Sequence, residues 1–327
     1  MATATPERVG WWQGGWRTVA RKEFADHVQS IRLVIVVLIV GAAMVIAVNA
    51  TAGAIRDAGD ELSGATGLFL AMFSLTREGA RLPSFLQLVA LLAPLLGIAF
   101  GFDAVNGERA GGTLPRLLSQ PIHRDDVING KFAAGVSVIG LVLIALTAFV
   151  AAIGLIRIGV TPSLGEVVRL IAYLVVTIVY VGFWLALASL FSVWLRRAAT
   201  SALAALGTWL LFTLFFGLIV GLAVDAISPV PPDARADEVI RNAELELTVS
   251  RISPTVLYEE ATTVLLRPQA RTVGFLFPQQ LDRAIPSELS LTQSTLLAWP
   301  QLVGLVALTL VLFALAYVAF MRQEVRA

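Results

Sequence analysis

Six apolar runs, each about twenty residues or longer, alternate with polar stretches along the chain. They fall at about residues 31–50, 84–102, 132–156, 170–195, 198–224 and 299–321. In hydrocarbon a backbone has no water to bond, so runs of this length are predicted to be helices. The pattern predicts an all-α integral membrane protein, a six-transmembrane-helix bundle. Pro94 lies inside the second run and predicts a kink, because proline has no N–H to donate.

A different periodicity precedes the first run. Trp16, Ala20, Phe24, Val28 and Ile31 recur every three or four residues, while Arg17, Arg21, Lys22 and Asp26 fall on other faces. This predicts an amphipathic helix over residues 11–30, lying in the membrane surface and anchored by Trp11, Trp12 and Trp16. The positive stretch and apolar run there do not make a cleavable signal peptide, because the run is of full span length without a clear small-residue cleavage site.

Two polar connections are long. Residues 228–298 open with a Pro-rich exit, SPVPPDARADE. Ser253-Pro254 then reads as a capping serine with proline at the first helical position. Val256, Leu257, Ala261, Val264 and Leu265 form an apolar stripe on that helix, which ends before Pro268. The expectation is a small ordered cap outside the spans. The other connection, residues 103–131, holds charges of both signs. Thr113 is placed to cap a short helix, Leu114 to Ser119, with Leu114, Leu117 and Leu118 on one side and Pro121 as its stop. Such a helix is either a docking knob for a soluble partner or a solvated loop whose leucines dip into the lipid.

Loop charge gives an orientation. Arginine and lysine concentrate before the first span, at Arg109, Arg116, Arg124 and Lys131, at Arg196-Arg197, and after the sixth span, while the short loop between the third and fourth spans holds only Arg157 and Arg169. The positive-inside bias then puts both termini and the 103–131 loop in the cytoplasm of a multi-pass cell-membrane protein, with residues 228–298 outside.

Composition agrees with the membrane class: 57% of the 327 residues are hydrophobic and 14% charged, against about 25% charged in soluble domains. A net charge of +1 gives no field that would favour nucleic acid. The absence of cysteine removes disulfides, thiol catalysis and zinc ribbons. The two histidines, His27 and His123, lie in polar flanks. None of the six apolar cores holds Asp, Glu, Lys, Arg or His, whereas ion-coupled transporters place ionisable groups at depth. Tyr173, Tyr180 and Trp184 read as packing residues. Ser189, Ser192 and Ser201 have no base at helical spacing, so no catalytic set is expected. Gly130-Lys131 is followed by Phe132 without the upstream glycine of a phosphate loop, so ATP is not expected to bind here by that route.

Asp103, Glu108-Arg109, Gly112-Thr113-Leu114, Leu117-Leu118-Ser119, Pro121-Ile122, Arg124 and Gly130-Lys131 together resemble the pattern of ABC-2-type transporter permeases. The nearest resemblance is to the branch that includes the permease for maturation of the nitrous oxide reductase copper site. Supporting marks are Ala20-Arg21-Lys22-Glu23-Phe24, Ser253-Pro254, Trp299-Pro300-Gln301 and Phe320-Met321-Arg322-Gln323-Glu324, which extend the likeness over nearly the whole chain. Gly111-Gly112 departs from the pattern and loosens the approach to the short helix.

The resemblance implies a type V exporter-like permease with an N-terminal interfacial helix and a cytoplasmic coupling helix. Two permeases, a second copy or a paralogue, would join two separate ATPase subunits. ATP and magnesium would bind on the ATPase, and this chain would hold no cofactor or metal and perform no hydrolysis. Glu108, Arg109, Thr113, Leu114, Leu117, Leu118 and Arg124 would couple to that partner. Asp103 would cap or pair at the end of the second span, and Trp16, Arg21, Lys22 and Phe24 would hold the interfacial helix to lipid and bundle. A membrane anchor that relays ATPase motion to an external partner is the alternative, and a secondary transporter is disfavoured by the uncharged cores. The substrate is not legible.

Overall fold

The computed structural model describes residues 15–57, 68–74, 83–113, 122–159, 161–231, 235–267 and 289–323. Every regular element among them is helical. Helix α1 (Gly15–Val28) leads into α2 (Ile31–Asp57), and the short α3 (Leu68–Ser74) follows. The second span is split into α4 (Phe85–Leu92) and α5 (Pro94–Gly101), with α6 (Asn106–Ala110) beyond it. Next come α7 (Arg124–Ile158) and α8 (Leu164–Trp194). The fifth span is α9 (Ala198–Leu210), a π-helical segment (Leu211–Phe215) and α10 (Phe216–Ile227). Helices α11 (Ala236–Ser250), α12 (Pro254–Leu266), α13 (Leu291–Leu297) and α14 (Trp299–Met321) complete the chain. Six of these stretches are long and apolar enough to cross a membrane.

Several helices outrun the apolar runs that announced them, for local reasons. Helix α7 starts at Arg124, ahead of the apolar run, where Asp125 and Asp126 favour the positive end of the helix dipole and the Asp126 carboxylate accepts from the His123 amide. It stops at Gly159, whose φ of 75° suits a residue without Cβ. Helix α8 starts at Leu164 because Ser163 and Glu166 form a reciprocal capping box. Arg169 therefore sits inside a helix and is buried, not in a short loop between spans as expected.

Helix α8 is the axis of the bundle, in contact with α5, α7, α9, α12 and α14. Its tightest neighbour is α5. A Cβ on Gly97 would stand 2.5 Å from the Val181 carbonyl oxygen, and one on Gly101 would stand 2.7 Å from that of Leu185. Two glycines four residues apart thus form a seam in which backbones touch, the small-residue packing typical of membrane helices.

The kink at Pro94 is present and its cost is met. Without a proline N–H, the Ala90 carbonyl loses its helical donor. The Tyr180 hydroxyl donates to it at 2.9 Å, and Trp209 Nε1 donates to the neighbouring Leu91 carbonyl at 3.1 Å.

The Ser253-Pro254 helix exists as α12, but it is not a cap standing outside the spans. It is wedged among α4, α8 and α14 and reaches the π-helical segment midway along the fifth span. Tyr258 is fully buried and stacks on Tyr180 with ring centroids 4.2 Å apart, and its hydroxyl reaches those of Tyr173 and Thr177. Tyr173, Tyr180 and Trp184 are packing residues of this core. Ser253 occupies the N-cap position, yet its buried hydroxyl makes no cap bond, so proline at the first position is what marks the start. Arg169 closes the other end, donating to the Leu265 carbonyl at 3.1 Å, to Ser294 Oγ at 3.0 Å and to the Leu289 carbonyl.

Candidate coupling site at the charged end of the bundle

The turn after α5 is clamped to the end of α8. Ser192 Oγ accepts from the amides of Val105 at 2.9 Å and Asn106 at 3.1 Å, and Asn106 Nδ2 donates to the Leu195 carbonyl. Beneath the turn lies a small apolar cluster of Val105, Val127, Ile128, Val193 and Phe320. This floor fixes where the charged side chains around it can reach.

The sequence-predicted polar residues of the turn reach several other helices. Glu108 accepts from Lys131 Nζ at 3.2 Å, on α7, and from the Thr113 hydroxyl. Lys131 also pairs with Glu23 of α1 at 2.9 Å. The Lys131 and Glu23 side chains are only 7% and 9% exposed, so this is a buried ion triplet of two carboxylates around one ammonium. Lys22, largely exposed, adds a second cation 3.2 Å from Glu23 and 3.1 Å from Asp26. Those two carboxylates outweigh the desolvation of Lys22 and raise its pKa.

Asp103 pairs with Arg32 at the start of α2 at 2.5 Å, and that guanidinium lies over the Phe102 ring. Arg109 donates to Gln323 Oε1 at 2.5 Å, and Gln323 Nε2 donates on to the Val193 carbonyl. Arg124 donates to the Gln323 and Phe320 carbonyls at 2.8 and 3.3 Å, so a cation caps the end of α14. The stretch that leaves α5 and enters α7 is thereby tied to α1, α2, α8 and α14. Thr113 is bonded back to Glu108; the helix expected at Leu114 to Ser119, with Leu117 and Leu118, lies outside the described residues.

Helix α1 packs along the first turns of α7, but through a different face from the one the periodicity suggested. Val19 and Glu23 are its buried residues. A Cβ on Gly130 would stand 2.7 Å from both the Trp16 carbonyl oxygen and Val19 Cβ, so glycine there lets α1 lie flat on α7. The expected apolar stripe divides: Phe24 packs inward, while Trp16, Val28 and Ile31 stay exposed. Trp16 has the Arg17 guanidinium over its ring, and Arg21 is exposed. His27 packs on the Phe100 ring with centroids 4.8 Å apart, and burial pushes its pKa down. Sequence reasoning did not pick out Glu23 or Gln323 as partners. Val19, Glu23 and His27 at four-residue spacing were the available signal for a second face on α1.

Among the described residues, no three His, Asp or Glu side chains converge as metal ligands. The arrangement ties one short turn to helices from both ends of the chain, by ion pairs towards α2 and α7 and by hydrogen bonds at the end of α14.

A multi-pass helical bundle of this kind is a membrane component. The chain belongs to the ABC-2 family of transporter proteins, whose pattern it matches over residues 17–325. It is 28% identical over 288 residues to a protein of Stutzerimonas stutzeri named "Probable ABC transporter permease protein NosY", spanning 86% of this chain and 92% of that one. A protein of the same name from Pseudomonas aeruginosa is 32% identical over 219 residues, 64% of this chain and 71% of the relative. The chain is accordingly a membrane subunit of an ABC transporter, and membership of the family implies association with an ATPase subunit.

Proposed function

We propose that this chain is the permease of an ATP-driven exporter, and that residues 103–131 receive the motion of a separate ATPase on the cytoplasmic face. The observation that supports this reading is the tie of the turn to three other helices: Asp103 is ion-paired to α2, Glu108 shares Lys131 with Glu23 of α1, and Arg109 and Arg124 hydrogen-bond Gln323 at the end of α14. A displacement applied to such a turn is delivered to the first span, the last span and the surface helix together. Leu114, Leu117 and Leu118 would seat in a groove of the ATPase, which binds ATP and magnesium. Glu108 and Arg109 would stand at the junction. Two permease chains would pair, with both termini in the cytoplasm as the loop charges favour. Export, in preference to uptake, follows the type V-like resemblance of the chain.

Co-purification tests the reading. The solubilised chain is expected to recover the ATPase encoded beside its gene, and a Leu117→Asp, Leu118→Asp variant that still inserts is expected to lose it. Equal recovery by both would remove these leucines as the docking surface.

A further inference from the structure

Helix α1 carries two cations that no acid neutralises. Arg17 and Arg21 stand one helical turn apart, both exposed, and neither makes an ion pair among the described residues. Arg17 lies over the ring of Trp16, which is itself exposed. Their neighbour Lys22 differs, because Glu23 and Asp26 already share its charge. Guanidinium groups match phosphate, whose oxygens accept their paired N–H donors.

An apolar groove continues from α1 along α7. It lies between α2 and α7, encloses about 440 Å³ and is lined by apolar side chains alone, among them Leu33, Val37 and Leu38 on α2 and Leu141, Ala145 and Phe149 on α7. Leu38, Leu141 and Phe149 are more than half exposed, so the groove is open on its outer side. Helix α7 relates the groove to the arginines. Helix α1 meets it at Gly130, against the Trp16 carbonyl oxygen and Val19, and Leu141 follows eleven residues later. Eleven residues make about three helical turns, about 16 Å along the axis and within about 20° of the same direction. The groove therefore stands in line with α1 on one face of α7. Leu33 is the third residue of α2, so the near end of the groove lies at the corner where α1 turns into α2. Both walls belong to stretches long and apolar enough to cross a membrane. Exposed cations with an exposed apolar groove beyond them present the two chemistries of a phospholipid in its own order.

We propose that the α1–α2 edge is a binding site for an anionic phospholipid, with its phosphate on Arg17 and Arg21 and one hydrocarbon chain in the groove between α2 and α7. The bound lipid would splint the first span to the third and make the seating of α1 sensitive to the charge of the surrounding leaflet. A zwitterionic headgroup would bring a cation of its own to the two arginines, so the site discriminates by charge.

Native mass spectrometry of the full-length chain in detergent tests this, with titration of dioleoyl phosphatidylglycerol and, separately, dioleoyl phosphatidylcholine. The wild type is expected to hold phosphatidylglycerol at least about tenfold more tightly than phosphatidylcholine. Arg17→Gln combined with Arg21→Gln should bring the two lipids to equal affinity. Ala145→Trp, which fills the groove from an exposed position, should weaken both. Arg157→Gln, at an exposed arginine in the last turn of α7, should change nothing. Equal binding of the two lipids by the wild type would overturn the proposal, as would an undiminished preference in the double arginine variant or an equal loss in Arg157→Gln. Unchanged lipid affinity in Ala145→Trp would overturn it as well, and dissociation of paired chains in that variant would then assign the groove to a second copy. No ATPase is present in the assay, so its outcome is separable from failure of the co-purification.

Discussion

Replacing Lys131 by Met should unfasten α1 from the bundle. In the wild type Lys131 Nζ lies 2.9 Å from Glu23 and 3.2 Å from Glu108, with Lys131 and Glu23 almost wholly buried. Methionine keeps much of the volume but leaves two carboxylates facing each other without their shared cation. Removing one partner of a buried ion pair costs about 3–5 kcal/mol, mostly as the penalty on the charge left behind. At roughly 2 °C per kcal/mol for a chain of this size, the thermal midpoint should fall by about 6–10 °C. Tryptophan fluorescence on heating in detergent reads it, since cysteine-reactive dyes have nothing to label. Adding Glu23→Gln removes one stranded charge, so the double variant should be more stable than the summed single effects by about 1–3 kcal/mol. Hydrogen exchange should quicken over Gly15–Val28 and stay slow in the core of α8. If Lys131→Met leaves the midpoint unchanged, or if the two substitutions add without coupling, then the triplet is not what holds α1.

Three further outcomes follow from the packing. Gly97→Ala should cost at least about 1–3 kcal/mol and lower the yield of monodisperse protein, because its Cβ meets the Val181 carbonyl; an unaffected yield would mean the seam can open. Arg169→Gln should loosen the end of α12, read as faster proteolysis between α12 and α13 with the six spans intact; unchanged protection would show that the wedge is held by its apolar contacts alone. His27 is a base whose folded pKa is depressed, so its stabilising effect is full above its ordinary value of 6.5 and is lost as pH falls through that value toward the folded pKa. A His27→Gln variant should therefore lose less thermal stability than the wild type between pH 7 and pH 5, and parallel curves would refute the assignment.

The spans were legible because apolar run length is a one-dimensional property, and Pro94 and Pro254 were legible because proline acts on its own backbone. The charged turn was legible as a set of residues, Asp103 to Lys131, but not as a set of pairs. Periodicity reports which side of a helix is inward and not which helix lies opposite, so Glu23 with Lys131 and Arg109 with Gln323 could not be read from either segment alone. Arg169 misled for a related reason. A lone arginine near the end of an apolar run looks like a loop charge until three carbonyl and hydroxyl acceptors from later segments are folded over it. Helix α12 was read correctly as a helix and placed wrongly, because an apolar stripe suits a lid over a bundle and a wedge within it equally well. The leucines of the expected short helix, Leu114, Leu117 and Leu118, stay as the sequence left them, outside the described residues.

The bend at Pro94 is tied to two other helices at once. Its two exposed carbonyls are hung on Tyr180 of the central helix and Trp209 of the fifth span, and Trp209 stands just before the π-helical segment. Below the bend, the glycine seam makes α5 one rigid piece with α8. A change of angle in the second span at Ala93 is expected to lengthen the bond to the Trp209 indole. The protein contains its own strain gauge: the indole fluorescence of Trp209 should shift whenever the second span straightens, and the fifth span is pulled in the same stroke.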